Sequence, residues 1–185
     1  MIKAPVTLTP EQQDFIENHV MSTNFPWFRI PEQAETPKET RAVGPILNVP
    51  FFGNILMKRG SDYEAIPGKI SSSYYNFFFE IFDTWMAQQG IEYTTVLRAC
   101  VNCVAARDLD AHTNPHTDHF FPHNNWIMYL NTTDAPTLLF DNETLAITDE
   151  IACEQYQAIT FPSQMHAYRF PRKQEHRLVV VFTYI

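Results

Sequence analysis

The chain has no apolar run approaching the ~18–20 residues that a membrane helix needs, and its start, Met1-Ile2-Lys3-Ala4-Pro5, lacks the apolar core of a signal peptide. A soluble, cytoplasmic protein is expected. No run of Lys and Arg is present and the formal net charge is −8, so neither nucleic acid nor a membrane is an expected partner. A local basic patch around Arg169, Arg172, Lys173 and Arg177 could still recruit a small acid. With only three cysteines, the chain suits a reducing compartment. Two of them form Cys100-Val101-Asn102-Cys103, but that segment reads as a strand, where positions three apart face opposite sides. A redox pair normally opens a helix and a structural zinc needs two more ligands, so neither reading is adopted. There is no internal repeat and no low-complexity tract.

What is present is the composition of a folded globule, 45% hydrophobic and 14% aromatic over 185 residues. A single domain spanning 1–185 is expected, with 1–93 supplying helices, loops and the substrate approach, and 94–185 a β-sandwich core. Thr9-Pro10-Glu11-Gln12 combines an N-cap Thr, Pro at the first helical position and Gln three residues after the cap, which predicts a helix over 10–21. The prolines between 22 and 70, among them Pro26, Pro31, Pro37, Pro45, Pro50 and Pro67, predict short strands and loops. Between Ser71 and Gln89 the residues Tyr74, Phe78, Ile81, Phe82 and Trp85 recur at helical spacing, and Gly90 ends the run. These aromatics read as core.

Beyond Gly90 the period changes to that of strands, over 94–106, 126–131, 137–141, 154–161, 166–170 and 176–184. The predicted class is mainly β with N-terminal helices, an α+β chain whose core is a double-stranded β-helix of the jelly-roll or cupin-like kind. Alternation then sorts the side chains. Arg177, Val179, Val181 and Thr183 share one face of the last strand, Tyr129 goes with Ile127 and Asn131, and Arg98 goes with Cys100, Asn102 and Val104.

The chemistry lies in His116-Thr117-Asp118, followed by His166 and then by Arg177 at the head of Leu178-Val179-Val180-Val181-Phe182. On extended backbone, side chains two apart point the same way, so His116 and Asp118 can grip one ion and His166 can close the triangle. Two imidazoles and one carboxylate on one face leave the other positions of an octahedral ion open, as in non-haem Fe(II) oxygenases. An arginine in a near-continuous apolar strand needs an anionic partner, and its fork matches a carboxylate bidentately.

His-x-Asp, the distal His in Phe161-Pro162-Ser163-Gln164-Met165-His166 and the Arg after it resemble the Fe(II)/2-oxoglutarate-dependent dioxygenases. The prolyl-hydroxylase-like branch is the nearest in pattern, through Tyr129-Leu130-Asn131 and the Arg-led strand Arg177 to Tyr184, over roughly residues 94–185. One departure is Asp134-Ala135-Pro136-Thr137, where that family often has a Gly-Gly turn. The resemblance implies that His116, Asp118 and His166 ligate iron, that Arg177 binds the distal carboxylate of 2-oxoglutarate, and that Tyr129 donates a hydrogen bond to the same carboxylate. By the parity of its strand, Asn102 is a further candidate for reaching the co-substrate. It also implies O2 as oxidant, succinate and CO2 as co-products, and hydroxylation of a peptidyl proline, an amino acid or a small metabolite.

Competing readings are a surface histidine cluster or a zinc site built from His112, His116, His119 and His123, which spacing alone leaves open. His112, His119 and His123 are read as solvated or as neighbours of the ligands, with His119 able to orient Asp118. Arg177 could instead form a structural ion pair. A cupin-like zinc or manganese hydrolase or isomerase, and a jelly roll used only for binding, are the alternative functions. Phe25-Pro26-Trp27-Phe28 and Pro50-Phe51-Phe52-Gly53 are candidates for the substrate approach, and buried anchors are an equally ordinary reading of them. The sequence leaves the oligomeric state open.

Overall fold

Period-two burial in the strands after Gly90 sorts their side chains between two layers. The structure, a computed structural model, describes residues 1–31, 50–107, 109–173 and 175–185. Eleven strands are seen among the described residues: β1 (Ile2–Pro5), β2 (Phe28–Ile30), β3 (Phe51–Lys58), β4 (Lys69–Ile70), β5 (Val96–Val104), β6 (Asn124–Tyr129), β7 (Thr133–Phe140), β8 (Ile147–Cys153), β9 (Gln157–Pro162), β10 (His166–Tyr168) and β11 (Arg177–Tyr184). The larger sheet runs β1-β9-β6-β11-β5-β3-β2, with β4 also on β3, and the smaller runs β10-β7-β8. All pairings are antiparallel. Residues 112–116 flank β10 through the His112–Arg169 and His116–His166 bridges, so they act as a broken fourth strand of the smaller sheet. The fold is a jelly roll with helices on its outer face, as the change of period predicts.

Helices α1 (Pro10–Phe15) and α2 (Tyr75–Gln88) cover the outside of the larger sheet. The Thr9 box forms as read: the Thr9 hydroxyl accepts from the Gln12 amide at 3.2 Å and the Gln12 side chain accepts from the Thr9 amide at 3.0 Å. The expected helix does not stay α to residue 21, because Ile16–Val20 form a π-helical turn. That turn buries Ile16 and Val20. α2 stops at Gly90, whose φ of +65° suits glycine. There Ile91 N–H reaches Met86 C=O and Gly90 N–H reaches Ala87 C=O, the paired bonds of a Schellman cap.

The aromatic stripe of α2 is core. Phe78, Ile81, Phe82 and Trp85 meet Trp126 and Met128 of β6 and Val180, Phe182 and Tyr184 of β11, while Ala99, Val101 and Cys103 of β5 complete the layer. The alternate residues Ile127, Tyr129 and Val179 turn inward, where they pack with Leu139, Ile151 and Phe161. Cys100 and Cys103 are both free and buried. Cys103 packs in the outer cluster while Cys100 does not, as positions three apart on a strand require.

Several boundaries differ from the pattern, and each has a local cause. β1 is a four-residue edge strand on β9, too short to show a period. β8 carries Thr148, Asp149 and Glu150 exposed on the free edge of the smaller sheet, so its apolar signal is weak. β9 begins only at Gln157, because Tyr156 adopts a φ of +59° that ends extended structure. β7 starts earlier than expected by running through Pro136, at a register irregularity between Thr133 and Thr137 where an amide is not required. Pro37 and Pro45 lie outside the described residues. No helix among the described residues is long and apolar enough to cross a membrane.

Phe82 lies parallel to Phe182 at 4.7 Å between ring centres and is fully buried. Phe82→Ala is therefore expected to lower unfolding stability by about 3–5 kcal/mol, read as an earlier midpoint in chemical denaturation.

Candidate metal centre

Two backbone hydrogen bonds create the site. His116 N–H donates to His166 C=O at 3.0 Å, and His166 N–H donates to His116 C=O at 2.9 Å. The two residues, distant in sequence, thus become a cross-strand pair whose rings stand 4.6 Å apart. Each ring is anchored from behind in the same way. His116 Nδ1 meets Asn114 C=O and His166 Nδ1 meets Gln164 C=O, both at 3.0 Å, so each Nδ1 carries the proton. That tautomer leaves both Nε2 lone pairs free to bind a cation.

Asp118 completes the cluster by a route other than simple strand geometry, since it lies in a bend beyond the bridge rather than on extended backbone. Its Oδ2 lies 3.5 Å from His166 Nε2. One ligand atom from each of His116, Asp118 and His166 lies within 4.8 Å of the others. No other such trio of His, Cys, Asp or Glu occurs among the described residues. The donor set, two neutral imidazoles and a carboxylate, suits a divalent first-row ion and leaves further positions open.

Electrostatics have prepared these groups. Burial alone raises the Asp118 carboxyl, but Arg98 and the two histidines beside it outweigh that effect and hold it well below the usual carboxylate range. His166 is pushed down to about 4 by burial and by His116, against the pull of Asp118. Both groups are therefore in the protonation state a metal requires at neutral pH.

A cleft of about 80 Å³ between the sheets is lined by these ligands and, further along β5 and β11, by Arg98, Asn102, Val104, Arg177, Val179 and Val181. Asn102 stands opposite Val179. Its Oδ1 would lie 3.1 Å from a Cβ added to Gly53, so the glycine permits the close approach of β3. Arg177 is buried, and among the described residues no carboxylate pairs with it. Its Nε donates to Ala135 C=O at 3.2 Å and its Nη2 to Thr137 Oγ1 at 2.8 Å, while the guanidinium stacks on Tyr168 at 4.7 Å. The structural ion pair open from the sequence is absent among the described residues, and a full positive charge faces the cleft.

Tyr129 is placed differently from its expected contact. It is fully buried, and its hydroxyl donates to Thr137 Oγ1 at 2.8 Å instead of pointing into the cleft. Burial raises that hydroxyl to about 12, so it stays a donor. Thr137 therefore accepts from both Tyr129 and Arg177, which leaves its own proton free to donate, and it lines the cleft. Sequence reading passed over Thr137, because nothing in its neighbourhood distinguishes it from an ordinary strand threonine. Arg98 was legible in part: a charged residue inside Val96–Val104 raises the same question as Arg177, and its partner is Asp118 at 2.7 Å.

Of the two readings of His112, His119 and His123, solvated or neighbours of the ligands, the solvated one does not hold. All three are buried, although Phe120 in the same segment is exposed. His112 Nδ1 meets Thr113 C=O, His119 Nε2 meets Thr183 Oγ1, and His123 Nδ1 meets Phe121 C=O. None joins the ligand cluster. Arg98, not His119, contacts the Asp118 carboxylate. Of the aromatic loops, Phe51 lines the cleft and Phe25 is buried in the outer core, while Phe28 is exposed.

No protein-family model matches the sequence, and no curated protein matches it. Solved structures do resemble the fold. A 2OG-Fe(II) oxygenase family oxidoreductase from Burkholderia pseudomallei superposes with a TM-score of 0.64 at 11% identity, over 94% of this chain and 77% of that one. A prolyl hydroxylase from Trichoplax adhaerens, in complex with a hypoxia inducible factor oxygen degradation domain peptide fragment, gives 0.55 at 13% identity over 100% and 82%. A Pseudomonas putida prolyl-4-hydroxylase gives 0.54 at 9% identity over 99% and 91%. The chain shares the fold of these proteins over almost its whole length.

The lowered His166 value has a measurable consequence. In the unfolded chain that ring takes up a proton near pH 6.5, whereas in the folded protein it does so only near 4. Between those values the unfolded state binds more protons, so stability falls as pH falls. Thermal unfolding of the metal-free protein is expected to show a midpoint that drops from pH 6.5 toward 4, with a shallower drop in His166→Gln.

Proposed function

We propose that the protein is an Fe(II)- and 2-oxoglutarate-dependent oxygenase that hydroxylates a small-molecule or peptide substrate. The observation that carries this reading is a single cleft with a two-His, one-carboxylate cluster on one wall and, beyond it, a buried arginine without an acidic partner among the described residues. A dianion with a chelating end and a distal carboxylate satisfies both at once. The likeness in fold to 2OG-Fe(II) oxygenases and prolyl hydroxylases supports the same reading.

His116, Asp118 and His166 would hold the iron through the two Nε2 atoms and Oδ2. Iron bound there, with 2-oxoglutarate and O2, would supply the redox chemistry that couples oxidative decarboxylation to succinate and CO2 with insertion of one oxygen atom into a substrate C–H bond. The chain's own residues bind and orient. Arg177 offers its guanidinium to the distal carboxylate, and Thr137 adds a hydroxyl donor beside it. Tyr129 acts at one remove, holding Thr137 so that its proton points to the ligand. Val179, Val181 and Ile127 form apolar walls that exclude water from the reacting atoms. Asn102 lies on the same wall and can meet a polar atom of the co-substrate. The substrate approaches past Phe51.

Anaerobic titration of metal-free protein with Fe(II) and 2-oxoglutarate tests the reading. A visible charge-transfer band is expected in the wild type and not in His116→Ala. In Arg177→Ala the band should need roughly 30-fold more 2-oxoglutarate, the equivalent of about 2 kcal/mol for a lost charge-assisted contact. Tightly held zinc and no band in the wild type would overturn the proposal in favour of a metallohydrolase.

A further inference from the structure

Arg98 is the one charged residue within β5, and the mechanism above leaves it without a task. It lies on the inward face with Asn102 and Val104, at the opposite end of the cleft from Arg177: Arg98 pairs with Thr183 across β11, whereas Arg177 pairs with Val104. Six residues of strand, about 20 Å, separate the two positions along β5. The two guanidinium groups therefore serve different ends of the site.

The contact at Arg98 divides the Asp118 carboxylate. Nη1 of Arg98 holds Oδ1 at 2.7 Å, while Oδ2 is turned toward His166 Nε2 at 3.5 Å. Asp118 is 4% exposed, so no water competes freely for Oδ1. An ion of ordinary size seated among the three ligands meets one oxygen of a carboxylate whose other oxygen is already engaged. A carboxylate with both oxygens free can chelate a divalent ion through both and fill an additional position. That position is one a chelating co-substrate needs.

Asp118 is the side chain that Arg98 contacts. The Arg59–Asp62 ion pair lies nearby on the loop after β3, with Asp62 charge acting on Arg98, and the Asp62 carbonyl accepts from the Phe120 amide at 2.9 Å, two residues beyond Asp118. The loop after β3 and the metal-binding segment are thus tied together around the Arg98–Asp118 contact.

Building on the functional reading above, we infer that Arg98 is a positioning residue that restricts Asp118 to ligation through one oxygen and so keeps a coordination position open for 2-oxoglutarate. The test uses Co(II) as a spectroscopic stand-in for iron, loaded into the wild type, Arg98→Met and Arg98→Lys, with His116→Ala as the site control. In Arg98→Met the Co(II) absorption spectrum should differ from wild type before any 2-oxoglutarate is added, and the Kd for 2-oxoglutarate should rise about tenfold or more. Arg98→Lys, which retains a cationic donor, should recover part of both. The thermal midpoint of each metal-free variant shows whether it is folded, and Arg98→Lys carries the comparison if Arg98→Met is not. A folded Arg98→Met with lowered stability but wild-type spectrum and wild-type 2-oxoglutarate affinity would make Arg98 merely structural and overturn the inference. Absence of Co(II) binding in the wild type overturns the functional reading and this inference with it, whereas Co(II) binding with no effect of Arg98 removes the inference alone.

Discussion

The reciprocal main-chain hydrogen bonds between His116 and His166 are the constraint on which the rest of the site depends. They tie the segment that leaves β5 to β10, a strand that follows four further strands, β6 to β9, in the chain. Because the bonds are made by backbone, they do not depend on the imidazoles themselves, and they place the two rings independently of a metal. The carbonyls of Asn114 and Gln164, each two residues upstream, then set both tautomers. A metal that enters this site meets donors already aligned, which lowers the ordering cost of binding.

Around that pair the jelly roll solves the problem of carrying charge inside a β-sandwich. Each long strand sends apolar residues outward under α2 and its aromatics, and each inward face can then afford polar groups where the two sheets separate. The two arginines of the cleft, Arg177 buried and Arg98 partly so, are satisfied in different ways. Arg98 has a carboxylate of the protein as its partner, so its charge is neutralised locally. Arg177 has, among the described residues, a carbonyl, a hydroxyl and two aromatic faces, and dipoles stabilise a guanidinium without cancelling its charge. That asymmetry leaves the cleft with one cationic end.

Much of this was legible in the chain. The Thr9 capping box, the Gly90 stop and the aromatic stripe of α2 depend on contacts within a few residues, and they appear in the structure where the pattern puts them. The alternation in β5, β6 and β11 is equally local: it put Arg98 with Asn102 on one face of β5 and Arg177 with Val179 and Val181 on one face of β11, and the structure turns both faces to the cleft. What escaped the sequence depends on distant partners. The polar strand β8 is held by β7 and not by its own composition. Tyr129 has its hydroxyl on Thr137 because β7 passes close to β6 and β11, and the burial of His112 and His119 involves partners far along the chain, Arg169 and Thr183.

The sequence by itself determined the period of each element, the face on which each inward charge lies, and the presence of two imidazoles, a carboxylate and an arginine of the right chemical types, since all of these follow from rotation per residue and side-chain chemistry. Only the tertiary structure decided that these groups converge. The backbone bridge between His116 and His166, the division of the Asp118 oxygens by Arg98, and the absence of a described carboxylate partner for Arg177 arise from the packing of one sheet on the other. Strand periodicity fixes a direction within each strand but carries no information about which distant strand will be met.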